Sequence, residues 1–335
     1  MSTLIIPKNY KTKFSPYETQ KAIEAVKKIF QKNLSEKLNL KRVSAPLFVG
    51  SDTGLNDNLN GVERPVVFDI KETGKYAEVV HSLAKWKRMA LFKYQFNAGK
   101  GLYTDMNAIR RDEEMDNMHS VYVDQWDWEK VIKKENRNEE YLKNTVNKIV
   151  TAIADTQDEL KKSFPVLKGS LERNVSFITS QELEDLYPSL TPKERENEYV
   201  KKHKTVFIMK IGGKLKSGKR HDGRAPDYDD WNLNGDIMFY NEVLNCAFEI
   251  SSMGIRVDKE SLLSQLDEAG CPERIKLPFH KMLADGTLPL TMGGGIGQSR
   301  LCMLLMEMAH IGEVQVSLWD EETLSRCKAA GIALL

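Results

Sequence analysis

The sequence predicts an α+β fold, a single domain over residues 1–335 with a largely antiparallel sheet flanked by helices. Strand-like stretches cluster at 40–125 and 205–258, and helical stretches lie at their flanks rather than in regular alternation. The glycine run that would suggest a doubly wound nucleotide fold also fails. In "GGGIGQSRL" (293–301) the third glycine of GxGxxG falls on Gln298, and too little chain follows for a doubly wound half.

Each element has its own signal. "PYETQKAIEAVKKIFQKNLSEKL" (16–38) carries apolar residues at helical spacing, with Pro16 just inside the start. "KRVSAPLFV" (41–49) reads as one strand, and Pro46 places it at an edge or interface. "HSLAKWKRMALFKYQF" (81–96) reads as an amphipathic helix. "GLYTDMNAIRRDEE" and "HSVYVDQWDWEK" read as two strands joined by a charged loop. Residues 129–163 read as a helix with Leu142, Val146, Ile149, Val150 and Ile153 in one stripe and its charges on a solvated face. "TVFIMKIGG", "DIMFYN" and "CAFEISSMGIRVD" read as strands, and the glycine run leads into a buried helix.

Composition excludes several classes. A net charge of +1 gives no bulk attraction to nucleic acid. No apolar run is long enough for a membrane span, and "MSTLIIPKNY" has no secretory apolar region. The four cysteines are scattered without a CxxC pair, so they read as reduced thiols of a cytoplasmic protein.

The chemistry-bearing residues point to a bound anion. "GKLKSGKR" (213–220) has P-loop spacing, but Arg220 replaces the Ser or Thr that holds magnesium, and a hairpin turn fits better. "APDYDDW" gathers Asp227, Asp229 and Asp230, and Asp236 follows. Glu249, Ser252 and Arg256 interrupt an apolar strand. They would form either an internal salt bridge or a site for a magnesium triphosphate, with a bulge at "SSMG" aligning Glu249 with the others. Arg110 ends one strand, Gln125 and Asp127 alternate on the next, and Arg300 follows the glycines, so two arginines could clamp a bent nucleotide.

These pieces resemble the three signature motifs of class II aminoacyl-tRNA synthetases, most closely the aspartyl type. "LKRVSAPLF" is similar to the dimer-interface motif, the stretch around Arg110 to the second, and "GGGIGQSRLCMLL" to the third. "VVHSLAKWKR", "GLYTDM", "HSVYVDQWDWE", "RAPDYDDW" and "FEISSMGIRVD" resemble, end to end, the ammonia-dependent asparagine synthetases, or aspartate–ammonia ligases. That resemblance implies a synthetase-like antiparallel sheet, a cytoplasmic homodimer, and conversion of L-aspartate, ATP and ammonia to L-asparagine, AMP and pyrophosphate with Mg2+. It leaves no stretch for an anticodon-binding module, and no cysteine has a glutaminase-like context, so free ammonia would be the nitrogen donor.

The resemblance also implies roles. Arg110 would bridge the reacting carboxylate and the α-phosphate. Asp57 would accept the ammonium proton, unless it only makes an Asx turn beside Asn58. Ser82, Lys87, Gln125, Asp127 and Arg256 would hold aspartate, with Lys87 and Arg256 on its α-carboxylate. Arg110, Asp112, Asp229, Glu249, Ser252, Gly295 and Arg300 would hold ATP, and Asp236 with Glu249 the metal. Val123 stands where a synthetase has its adenine-stacking aromatic, and Tyr122 where it has a second glutamate. The alternatives are a paralogue that adenylates another amino acid and a non-catalytic regulatory binding subunit.

Overall fold

Ser15 and Glu18 start the first helix, α1 (Pro16–Leu38), through a reciprocal capping box, and Asn39 ends it in the left-handed conformation with φ 59°. The computed structural model describes residues 4–59, 61 and 63–335, so the first three residues of "MSTLIIPKNY", Asn60 and Val62 lie outside it. Strands β1 (Leu40–Arg42), β2 (Phe48–Gly50), β3 (Val67–Ile70) and β4 (Lys75–Val79) lead to helix α2 (Ala84–Lys93). Next come β5 (Gly101–Ile109), β6 (Tyr122–Val131), α3 (Glu139–Ser163), β7 (Ser176–Thr179), α4 (Ser180–Leu186), α5 (Pro192–His203) and β8 (Thr205–Met209). The remainder is β9 (Asp229–Asn241), β10 (Cys246–Arg256), α6 (Lys259–Glu268), α7 (Pro278–Ala284), β11 (Thr291–Gly297), α8 (Gln298–Leu305) and α9 (Glu321–Ala329).

The main sheet has eight strands in the order β1-β5-β6-β11-β10-β9-β8-β7. Its centre is antiparallel, as expected, and only the outer pairs β1/β5 and β7/β8 are parallel. A second sheet of three strands, β2-β4-β3, was not foreseen. Helices α1, α3 and α8 cover one face of the main sheet and enclose the principal core, in which Phe30, Trp126, Trp128, Ile149, Phe239 and Met303 are fully buried.

Four expectations are corrected. The single strand at 41–49 is two short strands in different sheets, with Pro46 in the link, where no backbone N–H is needed. The helix expected from 129 begins at Glu139, because Asn138 caps it through Tyr141 N–H and residues up to 131 pair in β6. The glycine run, not read as a strand, is strand β11, and it leads into the buried helix α8 as expected. Helix α2 is shorter than expected and not simply amphipathic, since Lys85, Lys87 and Arg88 are all buried. The "GKLKSGKR" stretch does turn back on itself, with a bridge between Lys214 and Arg220.

Candidate active site

Alternation along β6 builds the floor of a cleft. Trp126 and Trp128 point into the helix-covered core, so Gln125, Asp127 and Glu129 point to the opposite face. Strand β11 lies directly across, with Gly293 opposite Glu129, Gly295 opposite Asp127 and Gly297 opposite Gln125. A Cβ at Gly293 would stand 2.7 Å from Arg256 Nη2 and 2.9 Å from Glu129 Oε2. One at Gly295 would collide with Gln125 Oε1 and stand 2.7 Å from Asp127 Oδ1. The glycines therefore leave room for neighbouring charged and amide side chains to lie flat on the sheet. Gly295 does line the cleft, but in an extended strand rather than a phosphate loop.

The cleft encloses about 350 Å³. Asp57, Ser82, Lys87, Arg110, Asp112, Gln125, Asp127, Asp229, Glu249, Ser252, Arg256, Gly295 and Arg300 all line it; Asp236 does not. Register shifts between Glu249 and Ser251 and between Gly254 and Arg256 break the strand alternation around "SSMG". They bring Glu249, Ser252 and Arg256 to one cleft, which regular alternation would forbid.

The inner wall is almost dry. Lys87 Nζ donates to Gly294 O at 3.0 Å and lies 3.2 Å from Asp127 Oδ1. Asp127 Oδ2 accepts from Leu83 N–H at 3.0 Å, at the N-terminus of α2, where the helix dipole favours an anion. Burial pushes the Lys87 pKa down, and Asp127 opposes that shift. Arg256 pairs with Asp229 and donates Nε–H to Glu129 Oε2 at 3.2 Å. Its Nη2 lies 3.1 Å from Glu129 Oε2 but makes no directed hydrogen bond. Burial lifts the Asp229 carboxyl above its usual range, although Arg256 pulls the other way. Asp229, expected among the ATP contacts, is thus committed to Arg256.

The outer wall is looser. Arg110 Nη2 reaches His81 O at only 3.5 Å, its Nη1 lies 3.9 Å from Glu113, and its Nε is buried without a partner. Arg300 donates to Glu249 O at 3.1 Å and lies 3.7 Å from the Glu249 carboxylate. Desolvation works against the Glu249 charge, but Arg300, Arg224 and Lys193 outweigh it and hold its pKa below the usual value. Asp112 is gripped by the guanidinium and backbone N–H of Arg64, so its oxygens are already engaged. Asp57 makes the Asx turn, accepting from Leu59 N–H at 2.8 Å, while its Oδ2 accepts from Ser82 Oγ–H at 2.7 Å.

Asp236 sits behind this wall, paired with Arg224, and its Oδ1 has no hydrogen-bond partner. Burial lifts its pKa, Arg224 opposes the shift and Glu249 adds to it. Among the described residues, no group of three or more His, Cys, Asp or Glu side chains could hold a metal ion by itself.

Several residues of the site escaped the sequence reading: Glu129, which lies beneath the cleft as the partner of Arg256, and Arg224, Tyr228, His119 and Gln315, which line it. Arg224 precedes the acidic stretch that drew attention and Tyr228 lies within it, but nothing local marks them as facing a cleft. Tyr122 and Val123 both line it.

Comparison with known proteins follows this geometry. A family model described as "Aspartate-ammonia ligase" matches residues 17–331. The chain is 63% identical over 333 residues to the aspartate–ammonia ligase of Clostridium tetani, covering 99% of this chain and 98% of the relative. It is 59% identical to that of Ruminiclostridium cellulolyticum over the whole of both chains. Among solved structures it resembles asparaginyl-tRNA synthetase from Entamoeba histolytica with asparaginyl-adenylate (TM-score 0.62, 14% identity, 90% of this chain, 66% of that one). The Pyrococcus horikoshii enzyme with the same adenylate is as similar (TM-score 0.62, 16% identity, 90% of this chain, 70% of that one). At such identity the likeness shows the class II synthetase fold alone.

Proposed function

From the premise that this chain belongs to the aspartate–ammonia ligase family, and so makes L-asparagine from L-aspartate and ammonia with ATP, we propose how its cleft divides that work. One observation carries the reading: on opposite walls, Arg110 Nε and Arg256 Nη2 are buried without a directed hydrogen bond, as is Nε of Arg224 beside Asp236. Buried guanidinium donors are seldom left idle, so the two on the walls each mark a place for a substrate oxygen.

The inner wall is the aspartate pocket in this reading. Arg256 and Lys87 hold the α-carboxylate, and Ser82, Gln125 and Asp127 surround the rest of the amino acid. Asp127 serves the substrate ammonium only with what Lys87 and Leu83 leave free. The β-carboxylate then faces Arg110. Its oxygen attacks the α-phosphorus of ATP, forming the P–O bond of β-aspartyl-AMP while the bond to pyrophosphate breaks. Arg110 lies between the two anions and offsets the charge that gathers there. Ammonia next forms the C–N bond and AMP departs, with Asp57 taking the surplus proton.

Arg300, Ser252 and Glu249 face the nucleotide; Arg300 offers its remaining N–H groups to the outer phosphates. The Glu249 carboxylate, which lines the cleft, would hold a Mg2+ that arrives with ATP, since that ion takes one or two carboxylates beside phosphate oxygens, and the free Oδ1 of Asp236 would join it only from behind the wall. When bound, it neutralises phosphate charge.

The working unit in this proposal is a cytoplasmic homodimer. Leu47 and Phe48, within "KRVSAPLFV", and Val67 and Tyr76, on the face of the small sheet opposite Phe48, stand exposed, apolar surface suited to a second copy. Among the described residues no helix is long and apolar enough to cross a membrane. Sedimentation at micromolar concentration should give twice the chain mass; a monomer would remove the dimer from the scheme.

The assignment of the two walls is tested by aspartate-dependent ATP–pyrophosphate exchange. Arg110→Ala should abolish exchange at saturating aspartate, with asparagine formation lost. Arg256→Ala should raise the aspartate KM by about two orders of magnitude, as expected for a buried carboxylate contact, and leave the ATP KM near its starting value. An Arg256→Ala enzyme that loses ATP affinity at unchanged aspartate KM would reverse the assignment. Glutamine freed of ammonia should not replace ammonium.

A further inference from the structure

Behind the cleft lies a second buried charge cluster that the reaction does not use. Lys85 Nζ lies 3.1 Å from Asp227 Oδ2, and His280 Nε2 lies 2.9 Å from the same oxygen. Arg274 Nη1 approaches it at 3.6 Å from a side chain that is partly exposed. Lys85, Asp227 and His280 are 2%, 0% and 0% exposed. Asp227 Oδ1 and His280 Nδ1 have no hydrogen-bond partner. Burial alone would raise the Asp227 pKa, but Lys85, His280 and Arg274 reverse the effect and hold the carboxyl far below its usual range. The carboxylate is therefore charged and tied to two elements at once.

Where these residues sit matters more than their charge. Lys85 is two residues before Lys87, so on helix α2 the two ammonium groups point to nearly opposite sides: Lys87 into the cleft, Lys85 to Asp227. Asp227 is flanked by Ala225 and Tyr228, which line the cleft, and stands two residues before Asp229, the partner of Arg256. His280, on α7, also lies close under the other loop of the cleft, where a glycine leaves it room. A Cβ on Gly54 would lie 3.3 Å from His280 Nδ1 and 3.0 Å from Leu277 Cβ, and Gly54 has φ +71°. Asp57 is three residues further along that loop. One histidine thus stands between the loop of Asp57 and the segment of Tyr228 and Asp229, and Lys85 ties that segment to the helix of Lys87.

We propose that the buried Lys85–Asp227–His280 cluster is a positioning device, holding the two loops and helix α2 at the separation that fits aspartate. It rests on reading the inner wall as the aspartate pocket. The cleft residues carried by these elements, Lys87, Asp57 and the Arg256 partner Asp229, serve the amino acid and its amidation in that reading, so the effect falls on the amino acid.

Steady-state kinetics and thermal melting of Lys85→Arg, Asp227→Asn, His280→Ala and His280→Gln test this. Asp227→Asn and His280→Ala should raise the aspartate KM tenfold or more while the ATP KM stays within twofold. His280→Gln, which restores an N–H toward Asp227, should recover most of the loss. Lys85→Arg keeps the charge but moves it, and should raise the aspartate KM at least threefold with little change in melting temperature; it carries the test if the neutral variants fail to fold. Aspartate KM values within twofold of the unaltered enzyme, or aspartate and ATP KM values rising together with a falling melting temperature, would overturn the proposal. If Arg256→Ala leaves the aspartate KM unchanged, the pocket assignment itself fails. If Arg256→Ala raises it and the cluster variants do not, only the positioning role fails.

Discussion

Helices α2 and α3 carry the same mixture of apolar and charged residues and treat their charges in opposite ways. Along α3 every buried residue is apolar or uncharged, from Leu142 to Leu160, and its lysines and carboxylates face water. In α2 the buried set includes Lys85, Lys87 and Arg88. The long helix has one stripe to bury against α1 and the sheet. The short one is wedged between the main sheet and the segments at 222–228 and 277–290, so that only its last two residues, Phe92 and Lys93, stand exposed. Each buried cation then needs its own acceptor: Asp227 for Lys85, Asp127 and Gly294 O for Lys87, Pro289 O and Val257 O for Arg88. A protein seldom keeps three cations dry on ten residues without a use for them, and this helix borders the cleft.

The contrast can be broken in four places. The largest effect is expected from Lys87→Ala. Removing one partner of a buried pair leaves Asp127 uncompensated and costs about 3–5 kcal/mol. Denaturant unfolding should show that loss, and the aspartate KM should rise with it. Retained stability would mean that water already serves Asp127.

His310 sharpens the comparison from the other side, as a buried base whose ring is hydrogen-bonded to no acid. Its Nδ1 accepts from Gly312 N–H at 3.0 Å, which requires the neutral ring, and burial lowers its pKa to about 4. The unfolded chain takes the proton near pH 6.5, the folded chain only near 4. The stabilisation is therefore complete above 6.5 and is lost as pH falls toward 4, by about 3 kcal/mol in all. Urea unfolding across that window should lose this slope in His310→Gln. An unchanged slope would show that other groups dominate acid sensitivity.

Arg88→Lys comes next. Arg88 spans two carbonyls, donating to Pro289 O at 2.9 Å and Val257 O at 2.7 Å, and a lysine cannot reproduce that fork. One charge-assisted hydrogen bond should be lost, about 1.5–3 kcal/mol by unfolding. No change would mean that the charge matters and the fork does not. Lys148→Ala, on the exposed face of α3, should stay within about 0.5 kcal/mol; a larger loss would remove the distinction between the two helices.

Much of the fold was legible locally. Pro16 and the 3.6-residue stripe placed α1, period-2 alternation placed β5 and β6, and the apolar run placed β10. The failures also have local causes. Glycines carry no periodic signal, so β11 was invisible as a strand. Pro46 hid a break between two sheets inside one apolar stretch. Within the site, the alternation of Gln125 and Asp127 and the three-residue spacing of Glu249 and Ser252 were readable, but the bulges that bring Glu249 and Arg256 to one cleft were only an option.

The sequence by itself determined the helices and strands with strong periodicity, the absence of bulk charge, and a set of specific strings that tie the chain to its family. Those properties reside in residues a few positions apart. The tertiary structure alone decided which charges are buried and with whom. The partners of α2 lie 142, 207, 201 and 169 residues away for Lys85, Lys87 and Arg88. A charge buried by contacts that distant looks, along the chain, like any charge on a solvated helix, because desolvation depends on what packs around a side chain and not on its neighbours in sequence.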